Sequence, residues 1–179
     1  YYQLPGKSLE ICCMHLDKGQ MWIGTTTDGA YRLQLDKNEL THPILKGNIT
    51  SIYQDSEGEL WIGSWEEGLH HVKTDGTIEI FEYDAKNPYS ISSNFVRACC
   101  EDNLGNIWIG TFNGLNRYDK STGLFQNHTA SDAQSDGLTH SSIWCIVKDN
   151  QGTLWLGTYF GGVNYFNPEY EIYSRYMYS

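Results

Sequence analysis

The sequence predicts an all-β protein made of four repeated units, each holding four short antiparallel strands. The first observation is composition: the 179 residues include 18 glycines, 13 tyrosines and 6 tryptophans but only 4 prolines. Glycine together with aromatic residues is typical of short strands joined by tight turns. The second observation is a ten-residue pattern that occurs four times, with successive tryptophans 39, 47 and 47 residues apart. Its tryptophans are Trp22, Trp61, Trp108 and Trp155.

The first predicted strand of each unit is rich in isoleucine, valine, cysteine and aromatic residues. Its four copies are residues 9–16, 49–54, 95–101 and 143–148. A hairpin turn that reads Asp-x-x-Gly follows, and it is one residue shorter in the first unit. In this turn the aspartate accepts backbone hydrogen bonds and the glycine adopts positive φ. Aspartates that recur in every unit are interpreted as structural rather than catalytic. They are Asp17, Asp55, Asp102 and Asp149.

The second predicted strand carries the Trp-Ile-Gly-Thr core of the repeat. Its tryptophan should pack between neighbouring sheets, and its glycine allows another chain segment to approach closely. A second glycine turn leads to a third strand, at residues 30–35, 69–73, 115–119 and 163–167. An outer strand follows at residues 77–83, 123–128 and 171–178, and in the first unit it is poorly marked, near residues 40–45.

Four antiparallel strands with a period of about 40–50 residues are the pattern of β-propeller blades. The residue four positions before each turn aspartate is small, as expected where blades converge on an axis. Because two of these residues are cysteines, the pattern gives the cysteines an ordinary packing role. These residues are Cys13, Ser51, Ala98 and Cys145. We predict one propeller segment with blades at about 8–46, 47–91, 92–140 and 141–179. Residues 1–7 are predicted to be the end of a preceding outer strand. The favoured arrangement is an arc cut from a larger propeller, and the alternative is a closed four-bladed ring.

The charge and the polar residues exclude several classes of function. A formal net charge of −10 disfavours nucleic acid and anionic membrane surfaces, and no apolar stretch approaches the length of about 18 residues that spans a bilayer. The five cysteines form no CxxC motif and the six histidines no His-x-His or HxxxH motif, so neither a metal site nor a cofactor is predicted. No paired carboxylates or Ser-His-Asp set stand out, so no catalytic residue is predicted.

The repeated motif resembles the two-component-regulator propeller repeat. The resemblance rests on Asp-x-x-Gly-x-Leu-Trp-Ile-Gly-Thr followed by x-x-Gly-Leu-x-x-Tyr/Phe, and on the segments 87–94 and 119–125. It covers essentially the whole chain, with modest departures at the short first turn, at Ser64 and around Gly29. It implies a segment of the periplasmic sensor region of a Bacteroidetes hybrid histidine kinase that responds to oligosaccharides from complex glycans. The implied partners are the remaining blades and a β-sandwich domain of the parent chain and a second parent copy, with membrane contact only through parts outside these residues.

The residue after each Gly-Thr or Gly-Ser is aromatic in three units, at Trp65, Phe112 and Tyr159. Equivalent positions should line one face of the arc, where aromatic rings stack on the apolar face of a sugar. Glu66 and Asn113 beside them would bond to hydroxyl groups, as would Asp28 and Glu67. The alternative is that these aromatics wedge between blades as core.

Three hypotheses of function therefore stand: a non-catalytic sensor segment, a protein-interaction scaffold, and a propeller lyase. A lyase needs a histidine with an acid at the central channel, and the sequence offers no convincing pair. The long polar connection at residues 127–142 is either a recognition loop or a solvated loop, with Trp144 as its anchor.

Overall fold

Four antiparallel sheets make up the computed structural model, which describes residues 10–41, 44–130, 137–169 and 172–176. The first sheet contains β1 (Ile11–Asp17), β2 (Gln20–Thr25), β3 (Ala30–Gln34) and β4 (Glu39–Leu40). The second contains β5 (Ile49–Gln54), β6 (Leu60–Ser64), β7 (Leu69–Val72) and β8 (Ile78–Phe81). The third contains β9 (Val96–Glu101), β10 (Ile107–Thr111), β11 (Gly114–Asp119) and β12 (Leu124–His128). The fourth contains β13 (Ile143–Lys148), β14 (Leu154–Thr158), β15 (Val163–Asn167) and β16 (Ile172–Tyr176).

The strands of each sheet pair in chain order, and the sheets pack in a row through their first strands. Strand β1 contacts β5, β5 contacts β9 and β9 contacts β13, and the row is not closed. The all-β class and the architecture of four four-stranded propeller blades are therefore confirmed. None of the described residues lies in a helix long and apolar enough to cross a membrane.

The outer strands are shorter than the sequence predicted. Strand β4 has two residues, and Leu45 forms only an isolated bridge with Ala30. Strand β8 ends at Phe81 instead of continuing to residue 83. The predicted outer strand at residues 1–7 and the ends of the one at 171–178 lie outside the described residues.

The turn aspartates fasten each inner hairpin to its tryptophan. One Asp55 oxygen accepts the backbone N–H groups of Glu57 (3.0 Å) and Glu59 (2.9 Å), and the other accepts the indole N–H of Trp61 (2.9 Å). Asp102 and Asp149 accept the equivalent bonds in the third and fourth sheets. These contacts give the aspartates a structural role.

The shorter first turn has a different geometry. Asp17 pairs with Gln20 in the ladder, and the two residues between them, Lys18 and Gly19, have φ of 43° and 81°. Positive φ at both central residues is the geometry of a two-residue hairpin turn whose twist matches the flanking strands.

The glycines of β2, β6 and β10 permit the sheets to approach one another. Gly63 pairs with Ser51, and a Cβ built on it would lie 2.7 Å from Cγ1 of Val96 in the next sheet. Gly110 meets Ile143 at the same distance. The tryptophans fill the wider part of each interface, with Trp61 completely buried and Trp108 2% exposed. Small residues on the inner strands and glycine opposite them thus let large residues of the next sheet pack closely.

Polar contacts also join the second and third sheets. The carboxylate of Glu101 accepts the backbone N–H (2.7 Å) and hydroxyl (2.8 Å) of Ser56. The Nζ atom of Lys120 lies 3.0 Å from Asp55 and 2.5 Å from Glu57. Asp55, Glu57 and Glu59 lie close enough together to surround a cation. Because Lys120 and the hairpin donors already bind Asp55, this acidic group is part of the sheet contact.

Acid is expected to destabilise the fold partly through Asp55. Burial raises the pKa of Asp55, but hydrogen bonds from Trp61 and Lys120 outweigh burial and hold the pKa below its usual value. The ionised carboxylate therefore stabilises the fold above the unfolded pKa of about 3.9, and this contribution is lost as the pH falls through the lower folded-state pKa. Asp55→Asn should flatten the pH dependence of the free energy of unfolding below about pH 4, measured by urea denaturation. Asp36→Asn, in the exposed β3–β4 turn, is the control, and equal slopes for wild type and Asp55→Asn would contradict the assignment.

The two end sheets expose apolar residues whose counterparts are buried inside the row. Ile49 and Ile143 are completely buried, whereas Ile11, at the equivalent place in β1, is 51% exposed. At the other end, Val163 is 40% exposed, whereas its counterpart Leu69 is completely buried. Within the described residues, the open row thus leaves apolar side chains of the sheet face exposed at each end.

Candidate ligand-binding surface

The three predicted aromatic residues occupy equivalent positions at one end of the inner hairpins. The backbone N–H of Trp65 donates to the carbonyl of Asn48 (2.9 Å), that of Phe112 to Phe95 (3.0 Å) and that of Tyr159 to Ser142 (3.0 Å). Each acceptor directly precedes the first strand of its sheet. The predicted residues therefore lie along one rim of the row of sheets.

A β-bulge places a further side chain at this rim in every sheet. The register of each first strand shifts by one residue, which leaves one residue extra. These bulge residues are Cys12, Thr50, Arg97 and Trp144. The Cys12 thiol and the Thr50 hydroxyl both reach the next sheet, at 2.6 Å from the carbonyl oxygens of Ile49 and Val96. Bulges redirect side chains and are frequent next to functional sites.

The bulge residue of the third sheet is clamped between two tryptophans. The guanidinium carbon of Arg97 lies 4.1 Å from the ring centroid of Trp65 in the second sheet and 4.1 Å from that of Trp144 in the fourth. Both distances are well within the range of cation–π attraction, about 6 Å. One arginine thus joins three consecutive sheets at their rim.

Further aromatic rings extend this stack on both sides. Phe95 lies 5.5 Å from Trp65 and 6.1 Å from Phe112, measured between ring centroids. On the other side, Tyr159 lies 5.4 Å from Trp144 and 4.3 Å from Phe160. We call this continuous surface the aromatic rim. It consists of Trp65, Phe95, Arg97, Phe112, Trp144, Tyr159 and Phe160.

The rim is a surface and only partly core. Phe112 is 50% exposed, Tyr159 51% and Phe160 81%, whereas Trp65 is half-buried between Arg97 and Phe95. The alternative prediction, that these aromatics wedge between blades, therefore describes Trp65 better than the other two. Contiguous exposed aromatic rings mark a surface that contacts a ligand or partner.

The predicted polar residues are less closely assembled. Asn113 is exposed next to Phe112, and its side-chain amide donates to the carbonyl of Ser92 (3.5 Å). Glu66 is exposed in the turn after Trp65. Asp28 accepts the hydroxyl of Tyr31 in the first sheet, beside Thr26, and so lies at the non-aromatic end of the row.

Two features of the long connection before β13 concern its predicted roles, which stay predictions. Among the described residues, the Trp144 ring contacts Arg97 and Tyr159, at the rim. Residues 131–136 lie outside the described part of the chain, but Leu138 is buried in the core. The backbone N–H of Thr139 donates to the Asn164 side chain (3.0 Å), so the end of this connection is fixed to the fourth sheet.

A histidine–carboxylate pair is present but lies away from the rim. His71 Nε2 lies 2.7 Å from Glu59, and the imidazole stacks on Trp61 with ring centroids 3.9 Å apart. His71 is 4% exposed, so a substrate has no access to it in this arrangement. The pair links the turn before β6 to β7 within the second sheet, and its geometry does not support the lyase hypothesis.

Among several shallow concave surfaces formed by the described residues, one with an exposed aromatic side chain competes with the rim as a binding site. A shallow groove of about 450 Å³ runs along the outer strand β12, and its lining includes Pro88, Tyr89, Arg117 and Leu124. It offers one exposed aromatic side chain, Tyr89, where the rim offers several.

The fold and the rim define an open row of propeller blades with an aromatic candidate binding surface. Three segments, residues 43–66, 90–113 and 137–160, match the sequence model of the family described as two component regulator propeller. Each segment contains the inner hairpin of the second, third or fourth sheet. The chain therefore carries repeats of the two component regulator propeller family.

Solved structures show the same fold. An extracellular domain assigned to the hybrid two component system BT3049 of B. thetaiotaomicron superposes with a TM-score of 0.78 and 18% identity, over 94% of this chain and 24% of that one. A corresponding domain of BT4673 superposes with a TM-score of 0.57 and 22% sequence identity, over 99% of this chain and 29% of that one. PorZ of Porphyromonas gingivalis, a surface component of the type-IX secretion system, superposes with a TM-score of 0.69 and 13% sequence identity. The match covers 94% of this chain and 27% of the PorZ chain. A comparison with curated protein sequences found no match.

These likenesses concern the fold, since every identity is below 25%. The chain spans about a quarter of the length of each of these three solved chains.

Proposed function

We propose that this chain is a non-catalytic ligand-sensing segment of the sensor region of a hybrid two-component histidine kinase. In this proposal the segment lies on the periplasmic side of the inner membrane, and the aromatic rim binds an oligosaccharide derived from a complex glycan. The observation that carries the proposal is the continuous row of aromatic rings across three sheets, of which Phe112, Trp144, Tyr159 and Phe160 are exposed. The family repeats and the extracellular domains of similar fold support the sensor assignment.

The rim suits a sugar because the apolar faces of pyranose rings stack on flat aromatic side chains. The Tyr159 hydroxyl and the Asn113 amide supply polar groups next to these rings. Because the rim joins residues of the second, third and fourth sheets, a ligand bound there contacts several sheets at once. Such a ligand stabilises one packing of the sheets over others, and this differential stabilisation shifts the parent receptor, proposed to be a homodimer, between states.

Replacing either of two rim aromatics is expected to weaken oligosaccharide binding by about 5- to 150-fold. Trp65→Ala and Tyr159→Ala each remove a ring from the surface, and base–aromatic stacking, a comparable contact, is worth about 1–3 kcal/mol per ring. The measurement is calorimetric titration of the complete sensor region with a panel of plant and host oligosaccharides. Tyr89→Ala is the matched control, because Tyr89 is 56% exposed but lies in the β12 groove.

The control also distinguishes the two candidate surfaces. Loss of binding in Tyr89→Ala with both rim variants unaffected would move the ligand to the β12 groove. Retained near-ultraviolet circular dichroism and an unchanged melting temperature are required of each variant, since Trp65 also packs against Arg97.

A protein-interaction scaffold is the second candidate function. The similarity in fold to PorZ, whose description is that of a surface component of a secretion system, favours it. If the complete sensor region binds no saccharide in the panel, the rim is better explained as a contact surface for another protein.

A further inference from the structure

The guanidinium of Arg97 has no acidic partner in the part of the chain that the structure describes. Its Nε atom is buried without a hydrogen-bond acceptor among the described residues, and no carboxylate in that part of the chain lies within 4.0 Å. Burial lowers the pKa of Arg97, and the opposing interaction comes from the Tyr159 phenol. Arg97 as a whole is half-buried, and a partly desolvated cation without a neighbouring anion is stabilised when an anion binds.

Other arginines also have an unpaired Nε atom, but none of them lies where Arg97 lies. Arg32 and Arg117 also have a buried, unpartnered Nε. Arg32 lies in the first sheet, and within the described part of the chain its guanidinium contacts a single ring, that of Trp22, at 5.7 Å. Arg97 alone of the three lies in the aromatic rim, between two indole rings. Its position therefore suggests a function beyond packing.

The stacking also determines how a ligand reaches this cation. Because two indole rings lie 4.1 Å from the guanidinium carbon and Nε is buried, a ligand reaches this cation along the edge formed by the two terminal NH2 groups, whose N–H donors lie in the guanidinium plane. Two parallel N–H groups on that edge match the two oxygens of a carboxylate or sulfate. Bonds to such anions are roughly twice as strong as those to neutral hydroxyl groups.

We infer that the Trp65–Arg97–Trp144 stack is a subsite for an acidic sugar. Arg97 binds the carboxylate or sulfate group of the sugar, and Tyr159 or Phe112 supplies the ring on which a neighbouring unit stacks. This inference rests on the proposed function and specifies its ligand as an anionic oligosaccharide. The net charge of −10 does not oppose it at contact distance, since about 0.1 M salt screens charges beyond about 10 Å.

The test compares acidic and neutral forms of the same oligosaccharides on the wild-type sensor region. The probes are oligomers of galacturonic, glucuronic and mannuronic acid, their methyl esters, neutral oligomers of equal length and sulfated versions of those neutral oligomers. At least one anionic form is expected to bind at least tenfold more tightly than its neutral counterpart. Uronate binding alone identifies a carboxylate as the ligand group, and binding of sulfated oligomers identifies a sulfate; either result supports the subsite.

Variants then assign the charge selectivity to Arg97. Arg97→Gln should reduce affinity for the anionic form at least tenfold more than affinity for the neutral form, and Arg97→Lys should restore part of this difference. Arg32→Gln is the matched control and should bind as wild type does. If Arg97→Gln fails to fold, the acid-to-ester comparison on the wild-type protein still decides the question.

The outcomes separate this inference from the function on which it rests. Equal affinity for acidic and neutral forms, or full retention of acid affinity in Arg97→Gln, overturns the acidic subsite and leaves oligosaccharide sensing intact. The absence of binding by every saccharide overturns both.

Discussion

Asp102→Ala is expected to lower the free energy of unfolding by about 3–5 kcal/mol. The Asp102 carboxylate is 3% exposed and accepts the backbone N–H groups of Leu104 and Asn106, each at 2.9 Å, and the indole N–H of Trp108 at 2.7 Å. Alanine leaves these donors without an acceptor, and each buried unsatisfied donor costs about 1–3 kcal/mol. The loss falls on the interface between the third and fourth sheets, because Trp108 packs against Leu154 and Leu156 there.

Urea denaturation followed by circular dichroism measures this loss, and Asp149→Ala provides the control. Asp149 accepts the same three bonds from Gln151, Thr153 and Trp155. Trp155 is only half-buried because no further sheet covers it, so water replaces the lost acceptor more easily. The cost at Asp149 should therefore be clearly smaller. Equal losses at the two positions would mean that the turn itself, and not the burial of the indole, determines the effect.

The inner hairpins were predictable from the sequence because their stabilising contacts are local. Asp55 binds residues two, four and six positions further along the chain, so aspartate, glycine and tryptophan recur at a fixed spacing. The outer strands have no such contact. Strand β4 is reduced to two residues and β8 ends at Phe81, since their length depends on neighbouring loops more than on a repeated motif.

The candidate site was predictable only in part, for a related reason. Trp65, Phe112 and Tyr159 follow the repeated Gly-Thr or Gly-Ser, and their position in phase with the motif placed them on one rim. Arg97 and Trp144 are β-bulge residues, and the register shift that directs them to the rim leaves no mark in the alternation of residue types. The signal that was available is their size, since the equivalent residues of the first two sheets are Cys12 and Thr50.

Gly110→Ala is expected to destabilise the protein by about 1–3 kcal/mol, the usual cost of overpacking a core. The sign is informative, because alanine in a strand interior is otherwise favoured over glycine by about 0.5–1 kcal/mol. A Cβ at this position would lie 2.7 Å from Cγ2 and 3.1 Å from Cβ of Ile143, which is completely buried in the next sheet. Neither atom belongs to a flexible side-chain end, so the two sheets must separate. Denaturant midpoints at constant m-value measure the change.

Gly157 tests whether this cost belongs to the contact between sheets or to the hairpin itself. The atom nearest to its Cβ would be Sγ of Cys145, at 2.6 Å, an exposed side-chain end that can rotate away. Gly157→Ala in the 179-residue chain should therefore change stability by less than about 0.5 kcal/mol, and a cost equal to that of Gly110→Ala would show that the hairpin is responsible. The same substitution in the complete sensor region carries further information. If a fifth blade packs on β14 in the complete sensor region as β13 packs on β10 here, the stability cost of Gly157→Ala rises to that of Gly110→Ala. A stability cost that stays small contradicts the prediction that these blades are part of a longer row.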